Sequence, residues 1–390
     1  MDSVIFPWMH IVSGEQRDKG MSGNFVYDDM FKRAKILVSS GDWDEAIESY
    51  YEILDLARDR GMSEEQARTM IELGHLYIKK SQWDDAFSNF MSASTLAKES
   101  ESVVLMAQAT FGMASVHYKM GDFDEAEEYY ASAIELLEDV ETDEGIEERA
   151  KVLRMLGASQ YRLGKFDDAG ENFVASLRLL NKNADSLEFG KTKYRFGMLS
   201  NKKGEYELAK ELYLDAMMCF EKKGALYELS KVCINLGETY FNLGDHKKAL
   251  ESYRKAEQLD KKLGDKYGLA IALGLQANVF SHMGQFGKAE SYYNKNLKVC
   301  KETESPFGIG IVKRDMGALK FKMGELDESI RLLKESIKVL SGIGSSDVDE
   351  VEAMLGLVMA EASYSEAISI TKKYKGTRTL KNAMKKLGLR

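Results

Sequence analysis

Histidines, cysteines and a recurrent acidic pair are the side chains here that could make or break bonds. His10, His75, His117, His246 and His282 are scattered, and none stands at metal-ligand spacing to another histidine or to a cysteine. Cys219, Cys233 and Cys300 are odd in number, with no close pair. They fall in helical patterns and read as small buried hydrophobes of a reducing compartment. Acidic pairs such as Asp44-Glu45 and Asp84-Asp85 recur where helices should begin, and there they offset the positive end of the helix dipole. No glycine-rich phosphate loop and no nucleophile elbow occurs. The reading is a non-catalytic chain that needs no metal, no cofactor and no small-molecule substrate. What remains is lysine and arginine interleaved with aromatic residues, the chemistry that grips carboxylates while covering apolar surface.

A repeat must position those residues. Gly41-Asp-Trp-Asp-Glu-Ala returns as Ser81-Gln-Trp-Asp-Asp-Ala, Gly121-Asp-Phe-Asp-Glu-Ala and Gly164-Lys-Phe-Asp-Asp-Ala. It returns again as Gly204-Glu-Tyr-Glu-Leu-Ala, Gly244-Asp-His-Lys-Lys-Ala, Gly284-Gln-Phe-Gly-Lys-Ala and Gly324-Glu-Leu-Asp-Glu-Ser. Every step is 40 residues except one of 43, between the third and fourth copies. A worn ninth copy starts at Ala362. Self-similarity at such a period means a solenoid.

Each unit reads as helix, turn, helix. A small residue stands twelve positions before the alanine: Ala34, Gly74, Ala114, Gly157, Gly197, Gly237, Ala277 and Gly317. The motif glycine ends the first helix. The alanine opens the second, and an aromatic follows four residues on in seven copies: Tyr50, Phe90, Tyr130, Phe173, Tyr213, Tyr253 and Tyr293. Leu333 takes that place in the eighth. Small residues let two backbones approach, and the aromatic fills the space between neighbouring pairs.

This pattern resembles the tetratricopeptide repeat (TPR) family over roughly residues 27–341. The 40-residue period is longer than the family's usual 34. It looks like the kind found in kinesin light chain, Pins-type adaptors and peptide-sensing regulators. The resemblance implies an all-α, right-handed α-α superhelix of eight repeats, with a degenerate ninth pair and a C-terminal capping helix. It also implies a concave groove lined by first helices.

Groove positions should lie 18, 15, 11, 8 and 7 residues before the recurring alanine. Of these forty positions, twelve are basic and two acidic, in a chain of 54 basic and 63 acidic residues, so the groove is enriched in positive charge. The expected partner-binding residues are Arg68, Lys79, Phe111, Tyr118, Lys119, Lys151, Arg154, Tyr161, Arg162, Lys191, Tyr194, Lys202, Lys231 and Phe241. Lys35, Arg314 and Lys322 complete the twelve. The lysine of a terminal-carboxylate clamp is replaced by Gly274, although Asn278 holds another clamp-type place.

The expected organisation is a non-repeat arm at 1–26, eight repeats at 27–341, and a ninth pair with a basic capping helix at 342–390. The Ile5–Met9 segment of the arm reads as a cover for the first repeat, a docking motif or part of a disordered tail. Eight basic residues and no acid lie between Lys372 and Arg390. A basic amphipathic helix of this kind is able to meet a membrane, a lesser reading than the cap. No apolar run is long enough to span a bilayer, and no secretory signal is evident, so a cytoplasmic location is expected. A net charge of −9 argues against general nucleic-acid affinity.

The expected function is a protein–protein interaction adaptor that holds an acidic peptide or helix in a basic, aromatic-lined groove. Self-association is an admissible variant. The first alternative is a peptide-responsive regulator whose solenoid changes on ligand binding. The second is a nucleic-acid-binding solenoid.

Overall fold

The computed structural model of the protein describes residues 23–362 and 374–389. Among them there is no strand. The chain forms two compact units, one ending at Lys182 and one beginning at Asn183.

The first unit holds α1 (Gly23–Ser40), α2 (Trp43–Asp59), α3 (Ser63–Lys79), α4 (Trp83–Glu99), α5 (Val103–Met120), α6 (Phe123–Leu136), α7 (Asp143–Leu163) and α8 (Phe166–Leu179). The second holds α9 (Leu187–Lys203), α10 (Tyr206–Lys223), α11 (Leu226–Asn242), α12 (His246–Leu263), α13 (Lys266–His282), α14 (Phe286–Glu302), α15 (Pro306–Lys322), α16 (Leu326–Gly342), α17 (Val348–Glu361) and α18 (Arg378–Leu387). Within each unit, odd and even helices pair as hairpins, and each hairpin packs on the next. First helices of successive hairpins also touch, as α3 does α5 and α13 does α15.

The recurring motif does what its residue types require. Ala46, Ala86, Ala126, Ala169, Ala209, Ala249 and Ala289 have no exposed surface, and the aromatics four residues on are buried. Phe90, Phe173, Tyr213 and Tyr253 lie against Gly74, Gly157, Gly197 and Gly237, where a Cβ would come within 3 Å of the ring. The hydroxyl that caps the start of α15 is that of Ser305, whose Oγ accepts from the Gly308 amide at 3.1 Å ahead of Pro306.

The motif glycine adopts the left-handed backbone, as at Gly121 with φ of 98°. In the second repeat Ser81 occupies the same turn with φ of 58°. A side chain there costs about 1–2 kcal/mol, partly offset by the greater freedom of glycine in the unfolded chain. Ser81→Gly is therefore expected to stabilise by about 0.5–1 kcal/mol, read as a higher urea midpoint.

α18 packs on α17 and α15. Ala383 and Leu387 are buried, and Lys386 pairs with Glu350 on α17. The Ile5–Met9 segment lies outside the described residues, as do Lys372, Lys373 and the worn copy from Ser363 on.

Candidate functional site

In the first unit, the cations expected to face a partner are largely engaged already. Arg68 bonds Glu64 one turn earlier on α3, at 2.8 Å. Lys35 reaches Glu72 on α3 at 3.1 Å. Lys151 sits 4.1 Å above the ring of Phe111 and 3.0 Å from Glu148. Arg154 is buried on α7, with Nη1 3.0 Å from the sulfur of Met155. Tyr118 and Tyr161 close their own hairpins, lying 5.4 Å from Phe123 and 5.8 Å from Phe166. The guanidinium of Arg162 stacks 4.7 Å over Phe123, so one ring receives a tyrosine from its own repeat and an arginine from the next. Lys79 and Lys119 are exposed at the ends of α3 and α5.

In the second unit, Lys191 is half-buried on α9 and Lys202 is exposed. Tyr194 packs 5.9 Å from Tyr213, and its hydroxyl accepts from the Asn235 amide at 3.0 Å. Burial pushes the Tyr194 phenol up from its ordinary value. Lys231 lies 3.9 Å over the ring of Tyr227. Phe241 turns to the hairpin end, where its ring is 5.2 Å from both His246 and His282.

Two adjoining cavities open along the first helices of this unit. One, of about 530 Å³, is lined by Tyr267, Ile271, Asn278, Phe307, Ile311 and Arg314 among others. The other, of about 210 Å³, includes Tyr194, Tyr227, Lys231, Asn235, Asp260 and Asp265 in its wall, and shares Tyr267 and Ile271 with the first. Their rim is aromatic. Tyr227, Tyr267 and Phe307 are 48%, 66% and 49% exposed, high values for rings of this size. All three stand 22 residues before the recurring alanine, or the serine that replaces it, one turn ahead of the positions taken as groove-facing. The signal was present in the sequence as three aromatics spaced by 40.

Among the described residues, no cluster of three or more histidine, cysteine or acidic side chains is placed to hold a metal. The three cysteines are free and buried. Burial pushes the Cys233 thiol up to about 11, so it stays protonated at neutral pH.

A tetratricopeptide repeat model matches residues 29–99, 105–182 and 225–302, more than half of the chain. The chain belongs to the tetratricopeptide repeat family. No curated protein matches it in sequence. Among solved structures, a Rap protein complexed with competence and sporulation factor aligns over 93% of this chain and 99% of its own, at 16% identity and a TM-score of 0.58. The apo quorum sensor NprR from B. thuringiensis aligns over 93% and 100%, at 14% identity and 0.65. A signal-transduction ATPase with a tetratricopeptide repeat sensor, from Pyrococcus horikoshii, aligns over 95% of this chain and 55% of its own, at 13% identity and 0.69. At these identities the likeness is one of fold.

One residue of this TPR chain departs from its repeat. Eleven positions after the recurring alanine the other copies carry Ala57, Ala97, Leu137, Leu180, Phe220, Cys300 and Leu340, all buried. The sixth carries Asp260, only 1% exposed. Ser230 on α11 donates to Oδ1 at 2.5 Å, and Oδ2 has no hydrogen-bond partner. Asp265 caps α13 by accepting from the Gly268 amide at 2.9 Å. Burial raises the Asp260 pKa, the Ser230 bond lowers it, and the charge of Asp265 raises it further; the net direction is up. Such a group contributes stability that is full below its unfolded value of about 4 and is lost as pH rises through the folded value. Asp260→Asn is therefore expected to melt above the wild type at neutral pH, with the gap closing as the pH is brought down toward about 4.

Proposed function

We propose that this TPR protein is a non-catalytic interaction scaffold that holds an extended peptide or a helix of a partner protein against its first helices. The observation that carries this is the pair of adjoining cavities in the second unit, rimmed by exposed aromatic rings. Large rings beside a concave apolar surface are the usual energetic anchors of an interface. On the first unit, Lys79, Lys119 and Arg162 are exposed cations with no ion pair among the described residues, and these would meet acidic residues of the partner. Among the described residues no helix is long and apolar enough to cross a membrane. The buried free thiols suit a reducing cytoplasm.

The test is capture of partner peptides from a displayed library by the full chain, repeated with two variants. Tyr267→Ala with Phe307→Ala is expected to weaken binding by about 30-fold or more, as loss of interface anchors does. Lys79→Glu with Lys119→Glu and Arg162→Glu should weaken acidic peptides selectively and flatten the dependence on salt. Peptides that bind both variants like the wild type would refute the reading.

The second reading is a peptide-responsive regulator. The 530 Å³ cavity favours it, together with the like fold of a Rap protein complexed with competence and sporulation factor. In that case a bound peptide should stabilise the chain strongly and alter amide exchange far from the cavity.

A further inference from the structure

Asp260 breaks the apolar column of its repeat, and the fold compensates it only at one oxygen. Its carboxylate is 1% exposed, takes one hydroxyl at Oδ1, and leaves Oδ2 without a partner. A carboxylate so buried is costly unless a cation or further donors reach it. It lines the 210 Å³ cavity, where Tyr194, Tyr227 and Tyr267 also stand, with Asp265 close by. Aromatic rings and an acidic group lining one cavity are the surroundings that recognise an organic cation. The chain displays that chemistry on its own account: the ammonium of Lys231 rests 3.9 Å above the Tyr227 ring at the same cavity. At about 210 Å³ the cavity has room for a four-carbon ammonium.

We propose that this cavity is a site for an alkylammonium group, which enters between Tyr227 and Tyr267 and pairs with the free oxygen of Asp260. The group is a lysine side chain of the bound peptide or a free aliphatic amine. The proposal deepens the scaffold reading and rests on the first-helix face being the ligand surface. It gives the second unit a preference for positive charge, opposite to that of the exposed lysines on the first.

The experiment uses the full chain with n-butylammonium chloride and with 1-butanol as the neutral probe of like shape, followed by saturation-transfer NMR and thermal shift. The ammonium is expected to bind and the alcohol to fail. Asp260→Asn and Tyr227→Leu should each weaken the ammonium by about tenfold or more. Asp260→Cys is the second carboxylate variant, because the next repeat already packs Cys300 against Gly308 as this one packs Asp260 against Gly268. Lys231→Met should tighten binding by removing the chain's own competitor.

A capped alanine pentapeptide with a central lysine, its norleucine twin, and 1,5-diaminopentane separate the two sources. The lysine peptide binding more tightly than the diamine assigns the site to a peptide; the reverse assigns it to a free amine. No ammonium binding at millimolar concentration, or binding unchanged by Asp260→Asn, overturns the proposal. A peptide that needs Tyr267 and Phe307 but ignores Asp260→Asn would leave the scaffold reading intact and remove only this site.

Discussion

Phe90→Ala is expected to destabilise the first unit by about 3–5 kcal/mol. The ring has no exposed surface. It lies between two glycines, Gly74 on the first helix of its own repeat and Gly112 on the first helix of the next. A Cβ at either would come within 2.6 Å and 2.2 Å of it. The ring of His75 meets it edge-on at 5.2 Å. One side chain thus closes its own hairpin and the contact to the following hairpin, and removing it opens both. Repeats are coupled only to their neighbours, so the loss should appear as faster amide exchange in α3, α4 and α5 before any global change. Phe25→Ala, at a ring 55% exposed, is the control and should change stability by less than about 0.5 kcal/mol. The complementary change, Gly112→Ala, should cost about 1–3 kcal/mol in the wild type by overpacking. In the Phe90→Ala background it should cost much less, since the methyl enters the vacated space. Additive costs across that cycle would show that ring and glycine do not touch.

Phe90 and its counterparts also explain why the fold was legible in the sequence. The small residue, the alanine and the aromatic recur because one close approach of two backbones recurs, and every copy must satisfy it. The cations were less legible because their partners lie elsewhere. Lys35 is held by Glu72 from the next repeat, and Lys151 by Phe111 from the preceding one and Glu148 from its own helix. Counting charges by position treats each as free. Tyr118 and Tyr161 were placed by rings in the motif itself, Phe123 and Phe166, which the periodic reading used only as turn markers. Asp260 could have been found by eye, as the one acid in an apolar column. Its meaning needed the structure, which shows the orphaned oxygen and the cavity beside it. The aromatic rim was missed by a single helical turn.

Arg314→Leu should be as damaging in the second unit as Phe90→Ala is in the first, costing about 3–5 kcal/mol. By position this arginine is a groove cation. In the structure it is 9% exposed and spends its charge inside the chain. Its Nε donates to Asp315 at 2.8 Å, and Nη1 lies 3.7 Å from Asp347 and 3.8 Å from Glu350 at the start of α17. Glu350 is also the partner of Lys386 on α18. The arginine therefore ties α15 to α17 and, through Glu350, to α18. Removing it leaves Asp315, Asp347 and Glu350 without their shared cation, and of the three only Glu350 keeps an ion pair among the described residues, with Lys386. Arg314→Lys should recover only part of the loss, because a single ammonium cannot reproduce a planar fork that serves three acids. Adding Asp315→Asn and Asp347→Asn to Arg314→Leu should restore much of the stability, since the cost of breaking a buried cluster comes mainly from the charges left behind and Glu350 keeps Lys386 as its partner. Urea unfolding gives the total, and amide exchange should place the loosening in α17 and α18. If Arg314→Leu leaves α17 and α18 protected, the arginine is free to serve a ligand and the groove regains a cation.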